Sequence, residues 1–302
     1  MADLAQTIFF GLALGCTYAL VALGFTIIYK ASGVINFAQG EFLLVGVYIV
    51  SAGVFEYHLN FFAALMIALV LTALLGVLFE RFVLRRMIGR PIFSILMITI
   101  GLDILLRTLI TIRIGAQYEL PAATPFDIYS GVDIGGVHFG TPQMVTIVVT
   151  ILSVLGLFIF FRYTRYGLAM RATALDQEAA LATGINIRAV YALAWGIAAV
   201  IATIGGVLLP LYNGAGSFDI TLGTVALAAF PAIILGGADS FVGAVVGGIL
   251  IGLTSQLFNR YDNFFAPVLG PGVYAVAPYL LMILILLIRP YGLFGARKVE
   301  RV

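Results

Sequence analysis

The sequence predicts an all-α, polytopic transmembrane helix bundle of about 8–9 spans with a weak inverted internal repeat. Three observations predict it. Of the 302 residues, 62% are hydrophobic and only 10% are charged, where soluble domains carry about 25% charged residues. Apolar runs approaching the ~20 residues needed to cross a hydrocarbon core recur along the chain. Finally, Lys and Arg gather in alternate connections. The 34 glycines let helices approach closely, as membrane bundles require.

Taken in order, the apolar runs are 4–29, 36–54, 61–80, 92–112, 143–161, 190–212, 221–237, 242–259 and 273–289. Two of them, 36–54 and 221–237, fall short of a full span, and 36–54 is either a short span or a re-entrant half-helix. Lys30, four Arg in 81–90, four in 162–188 and four basic residues in 289–301 make 13 cations on one side. Arg113 and Arg260 lie on the other, and Arg107 lies inside a span. The basic side is therefore expected to be cytoplasmic, with the N-terminus outside and the C-terminus inside. The first basic residue, Lys30, follows the first apolar run, the reverse of a cleavable signal sequence.

The long connection 113–142 holds Pro121, Pro125 and Pro142, and Val132–Phe139 has the pattern of a short hairpin. It reads either as a loose connector or as a platform for an external partner. Cys16 is the only cysteine, and His58 and His138 are the only histidines. No metal cluster and no intrachain disulfide are expected. A net charge of +2 without a basic stripe gives no reason to expect nucleic-acid binding.

The chain echoes itself at an offset of 183 residues. Gly33-Val-Ile-Asn36-Phe-Ala-Gln39-Gly40 returns as Gly216-Ser-Phe-Asp219-Ile-Thr221-Leu-Gly223, and Gly53 returns as Gly236. Spans 4–29 and 92–112 shift onto 187–212 and 275–295, so repeat-like halves run over about 1–112 and 187–295. In a nine-span chain these halves are inverted, and short segments at matching places in inverted repeats mark a solute path. Asn36 and Asp219 suit N-caps, and Gly33 and Gly216 permit the backbone bend before them. Gln39, Glu41 and Thr221 then fall in the first turns. Lining a path and simple capping both fit this pattern. Asp103 and Arg107, one helical turn apart inside a span, are expected to pair and face the bundle interior as a structural pair or a gate element. The pairs Gly11/Gly15, Gly243/Gly247 and Gly248/Gly252 predict close helix contacts.

One polar stretch, 162–190, interrupts the lipid-soluble pattern on the basic side: Arg171-Ala-Thr-Ala-Leu-Asp176-Gln-Glu178-Ala179-Ala180-Leu-Ala-Thr-Gly184. An ordered helix–turn there suits a docking partner. The sequence contains no Gly-rich phosphate loop followed by Lys and no His-Glu-x-x-His or Gly-x-Ser-x-Gly pattern. No enzyme activity is expected, no cofactor is expected, and an ATP-driven process would need a separate ATPase.

With these residues in view, the chain resembles the permeases of branched-chain amino acid ABC importers, the LivH type, over nearly its full length. The resemblance rests first on Leu14-Gly15-Cys16-Thr17-Tyr18-Ala19-Leu20 and Gly33 to Phe42, where family members commonly have His at the position of Gln39. Glu178-Ala179-Ala180-xxx-Gly184 looks like the loop by which such permeases dock on their ATPases, although the usual apolar-Leu-Pro ending is absent. Ile234 to Gly247 and Arg289-Pro290-Tyr-Gly292-Leu-Phe-Gly295 also match. The resemblance implies one permease domain over 1–302 in a bacterial cytoplasmic (inner) membrane, solvated by lipid. Its implied partners are a second homologous permease, two ATPase subunits and an extracytoplasmic substrate-binding protein, with alternating access as the mechanism. Glu178 would be a cap or anchoring charge, Ala179 and Ala180 small contact residues, and Gly184 the turn ending the helix. Asn36, Gln39, Glu41, Asp219 and Thr221 would line the path. The expected cargo is a branched-chain or other hydrophobic amino acid. Urea or a short amide within the same family, or a homo-oligomeric channel, are the alternatives.

Overall fold

The computed structural model describes residues 2–87, 90–115, 119–212, 216–264 and 272–295. Arg297, Lys298 and Arg301, three of the cations used for orientation, lie outside them. The helices are α1 (Ala2–Ser32), α2 (Gln39–Phe55), α3 (Phe61–Phe82), α4 (Ile92–Ile114), α5 (Thr141–Tyr163), α6 (Arg165–Leu175), α7 (Gln177–Ala182), α8 (Ile187–Tyr212), α9 (Val225–Ala228), α10 (Phe230–Gly236), α11 (Phe241–Arg260) and α12 (Val273–Ile288). Short 3-10 turns occupy Leu84–Met87 and Ile220–Thr224. Among the described residues six helical segments are long and apolar enough to cross a membrane, and three shorter apolar ones accompany them. The chain is a polytopic helical membrane bundle.

Helix α1 is central. Nearly every residue from Ala13 to Ile28 is buried, because glycines bring its neighbours to backbone contact. A Cβ on Gly15 would strike the Ile249 backbone, and one on Gly248 would strike Ala19; this is the close α1–α11 contact that the spacing of glycines predicts. Helix α8 crosses α1 antiparallel, with Gly205 beside Leu20 and Val21, and Ala198 beside Gly24. Trp195, Phe42, Leu20, Leu23 and Leu43 fill the centre. Helices α3, α4, α5 and α12 surround it and expose apolar side chains such as Phe62, Val70, Ile112, Leu152 and Leu287, the surface a lipid-facing shell requires. The packing is reciprocal: α3 lies on α8 as α11 lies on α1, and α2 lies on α8 as α10 lies on α1.

Two expected spans take a different form. Between α1 and α2 an extended entry, Gly33 to Ala38, turns back into the bundle, so that α2 begins beside Gly24 and Ala198. Its 17 residues cover only about 25 Å. The far end of α2 reaches the opposite side, where Ser51 accepts from Ala123 N–H and Glu56 pairs with Arg113. Segment 36–54 therefore passes through the bundle and is not re-entrant. The expected span 221–237 is not one helix: it breaks into the 3-10 turn, α9 and α10. Pro231 cannot donate to the helical ladder, and Thr224 Oγ1 donates back to Thr221 O, which favours the tight turn.

Two short ribbons close the end where α1 starts. Strand β1 (Leu120–Pro121) pairs antiparallel with β4 (Ser217–Phe218), and β2 (Gly131–Ile134) with β3 (Val137–Gly140), the hairpin expected over Val132–Phe139. Gln6 ties α1 to this hairpin through both the N–H and the C=O of His138. Helices α6 and α7 lie at the opposite end.

Candidate functional site

Three features could carry function: a cavity, a charged cluster and a helical hairpin. The cavity, about 890 Å3, opens among α1, α8, α11, α12 and the broken segment 220–228. Asp219 and Thr221 line it, together with Tyr18, Tyr212, Ser255, Gln256 and Asn259. Asp219 Oδ1 accepts from both the N–H and the Oγ1 of Thr221, so this residue does cap the turn after it. Asn36 Oδ1 accepts from Ala38 N–H and thus shapes the entry loop, while Ala38 itself holds the N-cap position of α2. The polar residues on α11 were missed in the sequence; Ser255, Gln256 and Asn259 near the end of a glycine-rich apolar helix were the available signal.

Asn36, Gln39 and Glu41 do not share this cavity; all three are fully buried. Gln39 Nε2 donates to Ala198 O and its amide lies against Gly24, joining α2 to α8 and α1. Glu41 has a charged partner that the sequence did not suggest. Arg107 of α4 donates to Glu41 Oε1 from Nε at 3.0 Å and from Nη2 at 2.7 Å. The expected Arg107–Asp103 pair is present but longer, at 3.4 Å. Asp103 and Arg107 do not face the interior fully: their side chains are 22% and 35% exposed, against 0% for Glu41. The correction has a simple cause. A one-turn spacing sets two residues on one side of α4, but where that side points depends on α2, which supplies a buried carboxylate 66 positions away.

The hairpin α6–α7 is built from side-chain caps. Thr164 accepts from Gly167 N–H to start α6, and Asp176 accepts from Ala179 N–H to start α7. The cap is thus Asp176, so Glu178 has no capping part: it is exposed within the first turn. Gly184 adopts φ +83°. Its N–H donates to Leu181 O, and Ile185 N–H donates to Ala180 O, the paired bonds of a Schellman ending that favour glycine there. Ala180 is buried while Ala179, Leu181 and Gly184 are exposed, and Leu175 is 89% exposed. On the inner side, Gln177 Nε2 donates to Tyr191 Oη. A recess of about 760 Å3 separates the hairpin from the end of α1, with Lys30, Arg171 and Asp239 among its lining. Lys30 Nζ donates to Asp239 O and sits over the Phe241 ring.

The two glycine-rich motifs at the C-terminal side form one unit. Leu293 N–H and Phe294 N–H donate to Leu235 O and Gly236 O, and a Cβ on Gly237 would meet the Gly295 backbone. Among the described residues no group of three metal-binding side chains occurs.

The fold is thus a helical membrane bundle with a broken helix, a cavity beside it and an exposed helical hairpin at one end. Residues 7–288 match the family described as "Branched-chain amino acid transport system / permease component", and the chain belongs to that family. It is 33% identical to the high-affinity branched-chain amino acid transport system permease protein LivH of Escherichia coli (strain K12), over 98% of this chain and 97% of that protein. The corresponding figures for permease protein BraD of Pseudomonas aeruginosa are 33%, 97% and 96%. For a probable LivH protein of Methanocaldococcus jannaschii they are 29%, 93% and 90%. The family is one of transport permeases, not of enzymes.

Proposed function

We propose that this chain is the membrane-spanning permease of an ABC importer that moves branched-chain or other hydrophobic amino acids inward, driven by separate ATPase subunits. The observation that carries this reading is the α6–α7 hairpin in a chain of this family. It is a capped, glycine-terminated helix pair held at one end of a lipid-soluble bundle. A passive channel has no use for it. In this reading Glu178, Ala179, Ala180 and Gly184 form the contact with the ATPase, with Glu178 as an anchoring charge.

The partner set is a second homologous permease, two ATPase subunits and an extracytoplasmic binding protein. The hairpin end and the C-terminus are cytoplasmic, in a bacterial inner membrane, and the 890 Å3 cavity then opens to the outside. The repeat halves, about 1–112 and 187–295, supply the alternating-access geometry, supported by the reciprocal packing of α3 on α8 and α11 on α1. Asp219 and Thr221 stand on the path, while Asn36, Gln39 and Glu41 hold the entry segment from behind.

The test is uptake of labelled leucine in cells that depend on this chain. Glu178→Arg and Gly184→Pro should each abolish uptake at normal membrane levels, and the intact complex should co-purify with stoichiometric ATPase subunits. Normal uptake by both variants would remove the docking role. Uptake of urea but not leucine would replace the cargo.

A further inference from the structure

We propose that Asp103 and Arg107, oriented by Glu41, form a mid-membrane contact site for the zwitterionic head of an α-amino acid on an aqueous face of α4. The proposal deepens the permease reading and rests on it. Four polar residues, Thr99, Asp103, Arg107 and Thr111, recur at four-residue spacing along α4, which places them along one side of the helix. The first is buried against the entry loop, where Thr99 Oγ1 accepts from Phe37 N–H. The next two are partly exposed near the middle of a 23-residue helix. The rest of the outer surface, Ile104, Leu105, Leu109 and Ile112, is exposed and apolar. One helix therefore shows a hydrocarbon-compatible face and an ionic edge. Partly exposed charges at that depth belong beside water or protein, not lipid.

The cluster is also incomplete by hydrogen bonds. Two carboxylates, Glu41 and Asp103, share one guanidinium. Glu41 Oε2 is buried without a hydrogen-bond partner among the described residues. Arg107 gives Nε and Nη2 to the carboxylates, and among the described residues its Nη1 has no acceptor. The site thus presents the Asp103 carboxylate and one guanidinium edge of Arg107 side by side. An α-amino acid carries the complement on one carbon: an ammonium for Asp103 and a carboxylate for Arg107 Nη1. Neutral urea could hydrogen-bond here but has no separated charges to set against the carboxylate and the guanidinium. Glu41 is a positioning residue, since its Oε1 takes two bonds from Arg107 and fixes the guanidinium plane. Its carboxylate is seated in turn against Gly223, where a Cβ would collide with it, so the site is joined to the broken segment that also lines the 890 Å3 cavity.

Thiol accessibility in membranes containing the whole transporter tests this without relying on import. In a Cys16→Ala background, Thr111→Cys lies on the polar stripe and Ile112→Cys on the apolar face. A thiol in contact with water ionises, and its thiolate attacks the sulfur of a cationic methanethiosulfonate reagent, forming a mixed disulfide and releasing methanesulfinate. Thr111→Cys should react at least about tenfold faster than Ile112→Cys. Leucine should slow that reaction, urea should not, and adding Asp103→Asn should remove the leucine effect. Adding Arg107→Lys, which keeps the charge but loses the planar fork, should weaken it.

Equally slow reaction at both positions would overturn the proposal, placing α4 against lipid or a dry protein interface. Equal protection by urea, or leucine protection that survives Asp103→Asn, would overturn the zwitterion site. Protection as expected in a transporter that imports no leucine would retain the site and remove the import reading.

Discussion

The segments Gly33–Glu41 and Gly216–Thr224 share a local design and lead to different structures. In each, a glycine with positive φ, +70° at Gly33 and +61° at Gly216, precedes by three residues an Asn or Asp whose side chain accepts from the N–H two positions on. In each a helix follows. The first copy buries Asn36, Ala38, Gln39 and Glu41 and runs into one continuous 17-residue helix; the second faces a cavity and breaks into three short pieces. They meet at equivalent positions: a Cβ on Gly40 would collide with Gly223 O. Local chemistry therefore makes the turn, and the surroundings decide whether it becomes a core element or a wall of an opening. The first copy is locked by Gln39 to Ala198 and by Glu41 to Arg107. The second is followed by Pro231, and it is held by its own turn bonds and by pairing with Leu120–Pro121.

Breaking the point of contact should give the largest effect. Gly40→Val puts a branched side chain where the Gly223 carbonyl sits, and backbone cannot yield as a side chain can. The expected outcome is loss of monodisperse folded protein in mild detergent, read by size-exclusion chromatography. Recovery of normal yield and thermal stability would mean that the two segments do not touch.

Removing the charged lock should come next, and it should separate the copies. Glu41→Ala leaves Arg107 with only its longer Asp103 contact, a loss of about 3 kcal/mol by comparison with other broken buried pairs. Asp219→Ala removes one turn cap, about 1 kcal/mol. Thermal denaturation of the purified chain should rank the variants in that order, and equal losses would show that burial does not distinguish the copies. The smallest effect is expected for Gln39→His. Either side chain can donate to Ala198 O from the same backbone position, so the change should stay within about 1 kcal/mol, with uptake retained.

Much of this protein was legible in the sequence. The helical membrane class, most span positions, the β2–β3 hairpin and the α1–α11 glycine contact follow from hydropathy, turn residues and small-residue spacing, all properties of nearby residues. The ending of α7 at Gly184 was equally local. The cap of α7 is Asp176, a residue type suited to that place, whereas the family motif points to Glu178 as a cap or anchoring charge.

What only the tertiary structure decided concerns pairs distant in the chain. Arg107 takes Glu41 as its chief partner, the glycine turn at Leu235–Gly237 is clasped by Leu293–Gly295, and Asp219 faces an opening while Asn36 does not. Spacing along a helix places two residues on one side, but it carries no information about which helix that side meets. That choice belongs to the packing of the whole bundle, where each contact depends on the glycines and charges of segments tens or hundreds of residues away.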